Sequence, residues 1–82
     1  MTTSETLRTM AVIIDRLDLH PISASLGRLQ LAEAEFCRTF AGQSVTLADH
    51  DARYHQLAII VDGVEVIALA SRPVLAPTSM VL

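Results

Sequence analysis

The chain has no tryptophan, no lysine, three glycines and one cysteine, and each shortage removes something. With Cys37 alone there is no intramolecular disulfide and no cysteine-based zinc site. A single thiol fits a reducing compartment, so the expected location is cytoplasmic. Three glycines leave little material for a phosphate-cradling loop. Neither a dinucleotide fingerprint nor a Gly-x-Ser-x-Gly elbow occurs. Aromatic residues are limited to Phe36, Phe40 and Tyr54, so the core must be built from aliphatic side chains.

Long apolar runs are also missing. The longest are residues 57–61 and 64–70, the second broken by Glu65. A membrane-spanning helix needs roughly 20 apolar residues, so no membrane insertion is expected. The start of the chain is polar (Thr2, Thr3, Ser4, Glu5) and shows no secretory signal. Basic charge is sparse and scattered. Arg8, Arg16, Arg28, Arg38, Arg53 and Arg72 are spread evenly, and the net charge is −3. Displacing counterions from a nucleic acid takes a clustered basic surface, so no nucleic-acid partner is expected.

Apolar residues, by contrast, are abundant: 51% of the chain, with a mean hydropathy of +0.44. Eighty-two residues make one domain, 1–82, with little interior. A surplus of apolar residues in so small a domain points to a surface shared with a partner.

Periodicity predicts an α+β fold: an N-terminal helical pair over residues 4–41, packed on a small antiparallel sheet at 45–71, then an apolar tail at 72–82. In the first segment Thr2 and Glu5 have capping-box spacing, and Leu7, Met10, Ile14 and Leu17 make one stripe. The β-branched run Val12-Ile13-Ile14 argues weakly for a strand, but the stripe is longer than the run. Pro21 closes the segment. The second helix is predicted over residues 23–41, with Ile22, Leu26, Leu29, Ala32, Phe36 and Phe40 on one face. Gly42 is placed as its left-handed stop.

Residues 54–61 and 64–71 flank Asp62-Gly63, the signature of a two-residue hairpin turn. Counting outward pairs Val61 with Val64, Ile59 with Val66 and Leu57 with Ala68 on one side. The other side pairs Ile60 with Glu65, Ala58 with Ile67 and Gln56 with Leu69. The first face is wholly apolar and suits the core. The second is mixed yet carries Ile60, Ile67 and Leu69, more than a solvated face needs. A short strand at residues 45–47 is also expected. The tail carries Pro73 and Pro77 along with Val74, Leu75, Met80, Val81 and Leu82; it is expected to lie on the domain's own sheet or on a neighbour.

These features predict a small non-enzymatic interaction protein, homodimeric, that docks on and modulates a larger protein. Accessory and inhibitory proteins of phages and mobile elements work in this way. The candidate interface is Ile60, Ile67, Leu69, Val74, Leu75 and Val81. No cofactor is expected. A second reading centres on residues 49–55, where Asp49, His50, Asp51 and His55 supply imidazole and carboxylate donors for a metal or small ligand. His50 and His55 are five apart, however, and a solvated turn entering the hairpin accounts for these residue types. A nucleic-acid regulator is the third and weakest reading. Cys37, beside Phe36, is read as a small buried hydrophobe.

Overall fold

A computed structural model describes residues 2–71 and 79–82, with only the backbone of Met80. Helix α1 (Thr3–Leu17) begins as its cap predicts. The Thr2 hydroxyl accepts the Glu5 N–H at 3.1 Å and donates to the Glu5 carboxylate at 3.1 Å. The helix ends where Asp18 turns left-handed (φ 52°) and the Leu19 N–H returns to the Ile14 carbonyl at 2.9 Å. Val12, Ile13 and Ile14 are helical. Met10 and Ile13 are buried, Ile14 and Leu17 partly so, while Leu7 faces solvent.

The second predicted helix is corrected over its first half. Residues 23–31 form two strands, β1 (Ser23–Ser25) and β2 (Arg28–Leu31), joined by a tight turn. Only α2 (Glu33–Thr39) is helical. Ile22, Leu26 and Leu29 fit a 3.6-residue period by coincidence: Ile22 and Leu26 are exposed, and burial instead alternates through Leu29 and Leu31. Gly27 sits at φ +79°, which no helix accommodates, and its N–H points to Met10 Sδ at 3.2 Å. Phe36 and Phe40 do share a helical face; their rings meet at 5.0 Å, tilted by 55°. Gly42 is left-handed (φ +82°), in a turn closed by Gln43 N–H to the Phe40 carbonyl.

Four more strands follow: β3 (Ser44–Asp49), β4 (Tyr54–Val61), β5 (Val64–Ser71) and β6 (Ser79–Val81). The sheet order is β1-β2-β5-β4-β3-β6. The β4–β5 hairpin has the register read from the sequence, from Val61 opposite Val64 to Tyr54 opposite Ser71. Asp62 and Gly63 both take positive φ (50° and 83°), as a primed turn requires. One pair departs from expectation. β2 runs parallel to β5, so the sheet is mixed rather than antiparallel. The described end of the tail, β6, pairs with β3 of its own chain.

Both helices cover the same side of the sheet. Met10, Ile13, Phe36 and Phe40 form one core with Leu29, Leu31, Val45, Leu47, Leu57, Val64, Val66, Ala68 and Ala70. At Glu35 the helical layer is tied down. Its carboxylate accepts the His20 backbone N–H at 3.1 and 3.2 Å and the His20 Nδ1–H at 3.1 Å. Burial works to raise the Glu35 pKa, but these bonds and the charges of His20 and Arg38 outweigh it and leave it lowered.

Candidate binding face of the sheet

Strand alternation puts every second residue on the side opposite the helices. Three registers define that face. Gln30, Ile67, Ala58, Thr46 and Ser79 lie in one row across β2, β5, β4, β3 and β6. Ser23 extends the row through its pairing with Gln30. Arg28, Glu65 and Ile60 lead the next row, and Ser25 and Val81 stand on the same side through Arg28 and Ser44. Leu69, Gln56 and Ala48 make the third. No described helix lies over these rows.

Nearly half of the described side chains on the face are small, namely Ser23, Ser25, Ser44, Thr46, Ala48, Ala58, Ser71 and Ser79, and Tyr54, opposite Ser71, adds a ring that is 41% exposed. The large apolar ones fall into two groups. Ile60 and Val81 are 63% and 64% exposed. Ile67 is only 6% exposed, and Leu69 is half-buried. Ile67 and Leu69 form the floor of a cleft of about 210 Å³, walled by Ser23, Ser25, Arg28, Gln30, Gln56 and His50. Burial of Ile67 therefore belongs to the single chain. Of the two isoleucines in the candidate interface, Ile60 is the exposed one. Val74 and Leu75 lie outside the described residues.

Among the described residues the face carries two charges, Arg28 and Glu65, and they are paired. Arg28 Nε lies 2.9 Å from Glu65 Oε1, and Arg28 Nη2 donates to Gln56 Oε1 at 2.8 Å. These bonds span β2, β5 and β4 and leave the pair without net charge. Sequence reasoning missed Arg28, Gln56 and Glu65 as a unit, because residues 23–31 read as helix and so placed Arg28 off the sheet.

The residues of the metal reading are separated by the fold. His50 lines the open-face cleft. His55 is 5% exposed on the helix side, where a second pocket of about 260 Å³ is lined by Cys37, His55, Leu57, Ala70 and Leu82. Asp51 shapes the turn between β3 and β4: its Oδ1 accepts the N–H groups of Arg53 at 2.8 Å and Tyr54 at 2.9 Å. His50 Nε2 is 4.0 Å from Asp51 Oδ2, and Asp49 pairs with His55 in the ladder. Among the described residues no three His, Cys, Asp or Glu side chains gather in a metal-binding group. His55 Nδ1 is buried with no hydrogen-bond partner among them.

Cys37 is partly buried beside the core. Burial, and then the charge of Glu33, push its thiol pKa up, which keeps it protonated and a poor nucleophile. Among the described residues no helix is long and apolar enough to cross a membrane. No family model matches the chain, and neither the curated proteins nor the solved structures yield a match.

Proposed function

We propose that this chain is a non-catalytic interaction protein whose open sheet face is a protein-docking surface, and that it modulates a larger partner. The observation that carries this reading is the face that no described helix or strand covers, with Ile60 and Val81 both more than 60% exposed on it. Among the serine, threonine and glutamine side chains that suit a solvated sheet face, Ile60 and Val81 stand out as exposed apolar groups. The principal ionisable contacts serve the fold itself: Glu35 with His20, Arg28 with Glu65, and Asp51 with its own turn. A single cysteine in the sequence fits a binding protein of a reducing, cytosolic compartment.

A photo-crosslinking residue at position 60, and another at Asp15 on α1, test this in lysate of the source cells. The reading predicts adducts of one or two defined masses from position 60 and none from position 15. Equal labelling at both positions, or none at 60, overturns it.

A further inference from the structure

We propose that the open face seats a second copy of this chain, sheet against sheet, about a two-fold axis. The inference rests on the reading of that face as a docking surface and names its occupant.

Charge is the first argument. The chain carries a net charge of −3, yet over its described residues the open face is neutral, its charged groups being the Arg28–Glu65 pair. A charged partner finds no complement there. A second copy brings an equally neutral face, and the acidic surplus stays outside the contact. In a two-fold contact each patch meets itself, so a surface without net charge is self-compatible.

Shape is the second. Serine, threonine and alanine fill nearly half of the described positions, which leaves room for larger side chains of an opposing sheet at the ~10 Å spacing of face-to-face packing. Ile60 and Val81 then enter the opposing face rather than meeting water.

Size is the third. Six strands at ~4.8 Å spacing, most of four to eight residues at ~3.4 Å each, present roughly 500 Å² per copy. Two copies bury on the order of 1,000 Å², the lower edge of a specific interface. The dimer is thus concentration-dependent rather than permanent. The edges argue against the other route. β1 and β6, the outer strands, have three residues each and offer short ladders for edge-to-edge pairing.

The test is sedimentation equilibrium of the wild-type chain up to about 200 µM, a range that detects dissociation constants through the micromolar region. Ile60→Asp and Thr46→Arg place a charge on exposed positions of the face, and circular dichroism checks that both fold. The expected result is a mass rising from 8.9 kDa toward twice that value for wild type, with both variants monomeric. Arg28→Glu alone makes the face acidic and weakens association at least tenfold; adding Glu65→Arg restores it. A wild-type monomer throughout, or a dimer that persists in both Ile60→Asp and Thr46→Arg, overturns the proposal. Adducts from position 60 to a protein of different mass, with a monomeric chain, overturn the second copy while leaving the docking surface standing.

Discussion

Two isoleucines on one sheet face separate stability from association. Ile67 is 6% exposed and Ile60 63% exposed, although both point away from the helices. Truncating a buried isoleucine to alanine costs about 2–4 kcal/mol, from lost transfer energy and the cavity left behind. Ile60, with most of its surface already in water, stands to lose less than about 1 kcal/mol. An 82-residue chain has roughly 4–12 kcal/mol in all, so the first loss is a large fraction and the second a small one. Urea unfolding followed by circular dichroism at low micromolar concentration, where association is negligible, measures both. With m near 1 kcal/mol/M, Ile67→Ala lowers the midpoint by about 2 M or more, and Ile60→Ala by less than about 1 M. Ile67→Asp goes further. It buries a carboxylate beside Leu69, and the chain is expected to unfold. Equal midpoint shifts for the two alanine variants would refute the division of the face into a cleft floor and an exposed contact.

Three further outcomes follow from individual residues. Glu35→Ala removes three charge-assisted contacts to His20 and is expected to cost about 1.5–3 kcal/mol in the same urea assay. Because the Glu35 pKa is lowered on folding, its stabilisation is fully present above the ordinary value of 4.5. It is lost as pH falls through the lower folded value, and Glu35→Gln flattens that acid-side decline. Gly63→Ala forces a Cβ onto φ 83° and lowers stability by about 1 kcal/mol, read as a drop in thermal midpoint. His55→Leu replaces a buried imidazole whose Nδ1 has no partner among the described residues; it is expected to be neutral or stabilising by about 1 kcal/mol, and a loss above that in urea unfolding would show that the imidazole is satisfied.

What the sequence disclosed depended on how local the determinant was. The Asp62-Gly63 turn fixes its own geometry, and with it every pair of the β4–β5 hairpin. The α1 cap at Thr2 is equally local. Residues 22–31 were ambiguous because Ile22, Leu26 and Leu29 satisfy a helical period while Leu29 and Leu31 satisfy a strand period. Gly27, with φ +79°, is the residue that decides for a turn. The parallel β2–β5 pairing joins residues 37 positions apart, as Arg28 opposite Glu65 shows, and no short-range pattern encodes it. The mixed second hairpin face was legible as a candidate surface. That Ile67 sinks into it while Ile60 stands out was not, since this depends on β1 and β2 lying alongside β5 and forming one wall of the cleft.

The central claim is that the open sheet face associates with protein and that its occupant is a second copy. Sedimentation equilibrium of wild type beside Ile60→Asp tests it most directly. A mass that climbs with concentration toward twice 8.9 kDa for wild type, and stays at 8.9 kDa for a folded Ile60→Asp, is the predicted result. Identical masses for the two proteins at every concentration would contradict it.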